Sequence, residues 1–155
     1  MVDRRTAGRA LAVSLLVLFL AGWGASAIQT AGGSVDVRSI RIPTQNGQWV
    51  VADLFKPRSA TADNPAPFIV VVPGFQRSKE ALSNVAIELA RRGIVAISID
   101  PYAQGGSSVS MSRRAATTEG YGMFAVVEYA AGTSNLNYID RDRIGATGHS
   151  AGGNA

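Results

Sequence analysis

The sequence predicts an α/β fold, a mostly parallel β-sheet covered by helices and preceded by an antiparallel hairpin. Three observations carry this. Apolar residues alternate with polar ones from residue 35 onward, then give way to continuous apolar runs separated by helical repeats. The elements follow as hairpin, strand, helix, strand, helix, strand, the order of a sheet whose parallel strands are joined by crossover helices. The last strand runs directly into Gly148, His149, Ser150, Ala151 and Gly152, a pattern that belongs between a strand and a helix.

Each element has its own signal. Residues 35–42 (VDVRSIRI) keep the period of a half-exposed strand, Asn46-Gly47 marks a tight turn, and residues 48–56 return as the second strand. Residues 57–67, rich in Pro, Ala, Ser, Thr and Asn, read as a loop. Residues 68–73 (FIVVVP) form an apolar run expected of a strand buried on both faces. Ser78 is expected to cap a helix to about Arg92, with Leu82, Val85, Ala86, Leu89 and Ala90 on its apolar side and Gly93 at its C-terminal cap. Residues 94–99 (IVAISI) are a second buried strand, ended by Asp100-Pro101 and a Gly/Ser-rich loop to about Thr118. A second amphipathic helix places Met123, Phe124, Val126, Val127 and Ala130 inward and ends near Gly132, and residues 143–147 (RIGAT) form the last strand. No internal repeat is present.

The first 33 residues are different in kind. Residues 10–28 are charge-free and mostly apolar, preceded by Arg4, Arg5 and Arg9, with no basic residue following until Arg38. Such a run is long enough to cross a bilayer, and the arginine asymmetry would send the rest of the chain outward. Ala25-Ser26-Ala27 also fits a small-residue cleavage site, so a membrane anchor through residues 10–28 and a signal peptide cleaved near Ala27 both stay open. The glycines flanking Trp23 should weaken a helix there. A buried core helix is disfavoured because the run has no polar face. Residues 34–155 are the globular part, with an extracytoplasmic or secreted location expected.

Composition limits the function. Hydrophobic residues make up 46% and charged residues 17%, a globular balance. Of the net charge of +4, half lies in the leader, and the remainder has 12 basic against 10 acidic residues with no sustained basic run. Arg91-Arg92 ends a helix, Arg113-Arg114 lies in a loop, and nucleic acid is not an expected partner. The absence of cysteine excludes disulfides and thiolate chemistry within the chain. One histidine and scattered carboxylates make no metal cluster, and no cofactor is expected.

The chemistry is concentrated at Ser150. A serine on a sharp strand-to-helix elbow presents its hydroxyl clear of the sheet, and Gly148 and Gly152 remove side chains that would collide in so tight a turn. Amides at the start of the following helix favour negative charge beside the serine. A second oxyanion donor is expected after the buried strand at 68–73, where Gly74 lets the backbone approach a substrate. The amides of Phe75 and Ala151 are therefore the candidate oxyanion hole, and His149 the variable residue of the elbow.

The stretches VVPGFQRSKE (71–80), ELARRGIVAISID (88–100) and DRIGATGHSAGG (142–153) resemble the α/β-hydrolase superfamily, especially its esterase and dienelactone-hydrolase-like members. The resemblance covers most of the globular part in the family's order. It implies acyl transfer from a small-molecule ester or acyl substrate through an ester of Ser150. It also implies a general-base histidine and an acid downstream of the serine, which this chain does not contain. The fold is accordingly expected to be truncated after the elbow, with an exposed apolar edge and a chain that is inactive and poorly folded alone. His149 is a poor substitute because neighbouring side chains on the elbow diverge and it lacks a placed acid. Asp100 is expected to cap its loop, and Asp140 and Asp142 to shape the turn before the last strand. The leading reading is an exported or anchored carboxylic-ester hydrolase; a non-catalytic hydrolase-like binding module and an acyltransferase using the same site are the alternatives.

Overall fold

A computed structural model describes residues 4–44, 47–109 and 118–155. Five strands, β1 (Val35–Pro43), β2 (Trp49–Pro57), β3 (Ala66–Val72), β4 (Val95–Ile99) and β5 (Ile139–Gly148), form one sheet in the order β1-β2-β4-β3-β5. β1 and β2 are the antiparallel hairpin, β2 pairs antiparallel with β4, and β3 runs parallel to both β4 and β5. All strands except β2 therefore point the same way. Thr44 N–H donates to Gln48 O across the hairpin turn at 2.9 Å; Asn46 of the expected turn pair lies outside the described residues, as do Arg113 and Arg114.

Period-two alternation in the central strands divides the core into two faces. Val70, Val72, Val95, Ile97 and Ile99 pack with Met123, Val126 and Ala130 of the helix α3 (Met123–Gly132). Val71 and Ala96 point to the other face, where they meet Ala86 and Ala90 of α2 (Ser83–Arg91). The small alanines on both sides let α2 lie close to the sheet. Burying each of the large aliphatic side chains contributes about 2 kcal/mol, and every residue of β4 is buried.

The helices depart from expectation at their starts and surfaces. Ser78 makes no side-chain cap; the chain first winds as a 3-10 turn over Lys79–Leu82, and α2 begins only at Ser83. Its end is as expected: Gly93 has φ +82°, Gly93 N–H donates to Ala90 O and Ile94 N–H to Leu89 O, the paired bonds of a Schellman cap. Val85 and Phe124, expected on apolar faces, are exposed instead. β5 is longer than residues 143–147, because Ile139 already pairs with Ala66 before an irregularity in the ladder. Asp140 and Asp142 thus lie within β5, where Asp140 accepts from Asp142 N–H (3.0 Å) and Arg143 Nε (2.6 Å), and Arg143 holds its carboxyl below the usual range. The outer edge of β5 is mostly polar and small rather than the apolar edge expected.

α1 (Arg4–Gln29) is one uninterrupted helix of 26 residues, about 39 Å long. The helix continues through Gly22, Trp23 and Gly24, so the expected weakening does not break it. Its most apolar window has mean hydropathy 2.1 and none of it is buried, with Phe19 71% exposed. α1 is thus long and apolar enough to cross a membrane, and it is not a core helix.

Candidate active site

The sheet register builds the site. β3 and β5 are parallel neighbours, with Val72 opposite Gly148, so the chain leaves both strands at the same edge and side by side. Ligand-binding residues of open α/β sheets gather at such carboxyl ends. Here Pro73 and Gly74 face His149 and Ser150, and His149 N–H donates to Val72 O at 3.1 Å.

Ser150 has φ +55°, a left-handed conformation that costs a non-glycine residue about 1–2 kcal/mol. The surroundings impose it. A Cβ on Gly148 would fall 2.1 Å from Gly152 O, and a Cβ on Gly152 would fall 2.2 Å from Val72 O and 2.6 Å from Pro73 O. The elbow is folded so tightly on β3 that neither position holds a side chain. A Cβ on Gly74 would sit 3.3 Å from both His149 O and the Ser150 Cβ, which brings the β3 loop against the serine. The segment after the elbow is a 3-10 turn, Ser150–Gly153, rather than a helix starting at Ala151; its first internal donor is Gly152 N–H, to His149 O at 3.0 Å.

The structure brings Ser150, His149, Gly148, Gly152, Ala151 and the Gly74-Phe75 segment together. Ser150 and His149 are exposed, and the Ser150 hydroxyl has no hydrogen-bond partner among the described residues. The Phe75 amide likewise has no acceptor there, and the Ala151 amide precedes the first bonded donor of its turn. His149 lines a hollow of ≈ 380 Å³ with Pro73, Gly74, Arg77, Ala81 and Leu82.

Asp100 stands at the end of β4 on the same edge but serves the scaffold. It is 3% exposed; its carboxylate accepts from Lys79 N–H at 2.7 Å and Gly106 N–H at 2.8 Å, while its carbonyl accepts from Ser107 Oγ at 2.6 Å. The carboxylate fixes where the chain turns after the β3 loop. Asp100→Ala leaves two amides without an acceptor, and we expect it to lower stability by about 2–4 kcal/mol, with Asp100→Asn less damaging. Urea denaturation checks this as a lower midpoint at unchanged slope; an unshifted midpoint refutes it.

Other supports were not singled out in the sequence. Gln104 Oε1 accepts from Arg77 N–H at 2.8 Å, pinning the loop just past Phe75. Ser98 Oγ donates to Lys79 O at 2.7 Å, and Lys79 Nζ bridges Asp53 (3.0 Å) and Glu80 (2.6 Å). Burial pulls the Lys79 amine down, but the Glu80 and Asp53 carboxylates outweigh it and hold it above its ordinary value. Glu80, hydrogen-bonded to Lys79, is lowered to about 2. Ser39 completes the group by donating to Asp53. Apart from Lys79–Glu80, these contacts link residues far apart in the chain, so spacing along the sequence carried no signal for them.

Solved structures with this fold include ferulic-acid-bound Est1E from Butyrivibrio proteoclasticus (23% identity, TM-score 0.59), which covers 72% of this chain and 42% of that one. The alpha/beta hydrolase GrgF from Penicillium sp. sh18 matches at 19% identity and TM-score 0.58, over 73% of this chain and 37% of that one. A bacterial heroin esterase matches at 20% identity and TM-score 0.62, over 77% and 36%. The fold is thus that of the α/β-hydrolases, and the chain spans well under half the length of these structures. No curated protein matches the sequence. Residues 23–155 match the PET hydrolase-like family, PETase, which takes in the elbow, the β3 loop and every strand. The chain belongs to the PET hydrolase-like family.

Proposed function

We propose that the whole protein is a serine hydrolase of carboxylic esters in which Ser150 is the nucleophile. The observation that carries this reading is Ser150 itself: a serine held at φ +55° by two glycines that admit no side chain, at a parallel-sheet edge, with its hydroxyl unpartnered among the described residues. Ser150 Oγ bonds to the carbonyl carbon while its proton passes to a general base. The developing oxyanion takes hydrogen bonds from the amides of Phe75 and Ala151, donors that typically contribute a few kcal/mol each to the barrier. The ester C–O bond then breaks, and the alcohol leaves with the proton from the base. Water, deprotonated by the same base, displaces the acyl group from Ser150 as the free acid.

His149 is not that base. It adjoins Ser150 in the elbow, where neighbouring side chains diverge, and no Asp or Glu among the described residues lines the hollow that it borders. We assign the base and its acid to the part of the α/β-hydrolase fold that this chain does not span. A fluorophosphonate probe tests the nucleophile: rapid labelling of the full-length protein is expected at Ser150 and nowhere else. Labelling that survives Ser150→Ala would refute the assignment.

We further propose that α1 is an export or anchoring segment, supported by its length, its apolar surface and the arginines that precede its charge-free run. Fractionation of expressing cells with N-terminal sequencing checks it. A membrane-bound chain that retains residues 1–27 is an anchor, and a chain beginning at Ile28 is a cleaved leader. An intact N-terminus in the cytoplasmic fraction would overturn both.

A further inference from the structure

Most cations among the described residues of the globular part are engaged. Arg58 pairs with Asp36, Arg91 and Arg92 with Glu88, Arg143 with Asp140, and Lys79 with Asp53 and Glu80. Arg41 stacks on Trp49 at 3.7 Å, Lys56 lies over the Tyr138 ring at 4.9 Å, and Arg141 donates to Thr133 O at 2.8 Å, whereas Arg38 stands near the Tyr138 hydroxyl without hydrogen-bonding it. The Arg77 side chain has no hydrogen bond, ion pair or ring contact among the described residues, and unlike Arg38 it stands beside the elbow.

Its position is nonetheless fixed. Arg77 N–H donates to Gln104 Oε1 at 2.8 Å and approaches Gly74 O at 3.2 Å, so the backbone that carries it is held from two sides. Arg77 lines the ≈ 380 Å³ hollow beside the elbow, together with His149, and the remaining lining residues, Pro73, Gly74, Ala81 and Leu82, bring no charge. A guanidinium is always charged and presents a planar fork of donors that matches a carboxylate. A guanidinium without a counter-ion among the described residues, beside a hollow next to the serine that no Asp or Glu lines, is placed to receive an anion.

We propose that Arg77 determines specificity for esters that carry a second, negatively charged carboxylate beside the scissile bond, and that this carboxylate binds in the hollow. The inference rests on Ser150 being the nucleophile. It concerns which ester is chosen, not how the ester is cleaved.

The test compares two substrates with the same acyl chain on the full-length protein: 4-nitrophenyl hydrogen glutarate, an anion, and its neutral methyl ester. The wild type is expected to favour the anion in kcat/KM. Arg77→Gln is expected to lower the ratio of the two kcat/KM values by about ten- to hundredfold, and Arg77→Lys to restore part of it. Raising salt should shrink the wild-type preference, since the group is exposed. A merely structural arginine would depress both substrates and leave the ratio unchanged, which would overturn the proposal. Binding separates this outcome from failure of the hydrolase reading. Titration of the Ser150→Ala protein with monomethyl glutarate should give a Kd about tenfold or more weaker once Arg77→Gln is added. An equal Kd overturns the proposal whether or not any ester is turned over. Arg77-dependent binding without Ser150-dependent turnover would overturn the hydrolase reading and leave the anion site standing.

Discussion

Ser150→Ala is expected to lower ester turnover by the full-length protein at least about 10³-fold, because removing a serine nucleophile removes the covalent path and leaves only oxyanion stabilisation and binding. The loss is expected whichever residue is the base, since no base can act without the hydroxyl it serves. The same position makes a second, opposite prediction. Ser150 sits at φ +55°, where its Cβ is strained and glycine is not. Ser150→Gly should therefore stabilise the protein by about 1 kcal/mol while abolishing turnover. Ser150→Ala keeps the Cβ and should leave stability within about 0.5 kcal/mol. Denaturation midpoints and kcat/KM for one neutral nitrophenyl ester, measured on all three proteins, decide the matter. An alanine variant that retains a tenth of the activity would sink the nucleophile assignment. A glycine variant less stable than the parent would show that the backbone there is relaxed.

Much of this was legible in the sequence because it is local. The apolar runs at 68–73 and 94–99 became the two central strands, since a segment without polar faces has nowhere to lie but inside the sheet. The pattern from Gly148 to Gly152 announced a sharp turn, and the lack of room at both glycines is the physical reason they are there. What remained hidden depends on neighbours distant in sequence. The 3-10 turn before α2 is dictated by Asp100 and Ser98, which grip the Lys79 backbone from β4 and its end. Helical periodicity put Phe124 and Val85 on apolar faces, yet both are exposed, because width of the covered stripe depends on how closely each helix sits on the sheet. The isolation of Arg77 beside the elbow is visible only once its neighbours in space are known. Spacing along the chain reveals where a charge is, and only the fold reveals what it meets.

Gly152→Ala should be the most damaging single-methyl substitution in the described chain. The added carbon would fall 2.2 Å from Val72 O and 2.6 Å from Pro73 O, and both obstacles are backbone atoms of β3 and its exit. A clashing side chain can rotate away, but a carbonyl of a buried central strand moves only if the strand moves. Gly148→Ala meets the same difficulty against Gly152 O at 2.1 Å and Val72 O at 2.9 Å. Neither glycine has positive φ, so the requirement is room and not backbone angle. Overpacking a well-ordered site costs about 1–3 kcal/mol when side chains can adjust. Against fixed backbone we expect at least about 3 kcal/mol for each, with loss of Ser150 labelling even where folding survives. Gly74→Ala supplies the graded control. Its Cβ would sit 3.3 Å from His149 O and the Ser150 Cβ, a contact relieved by a shift of a few tenths of an ångström. That variant should lose no more than about 1 kcal/mol of stability, but the shift falls on the serine, so its turnover should drop more than its stability. If Gly152→Ala instead unfolds at the wild-type midpoint, the elbow is not pressed against β3, and the strain at Ser150 needs another source.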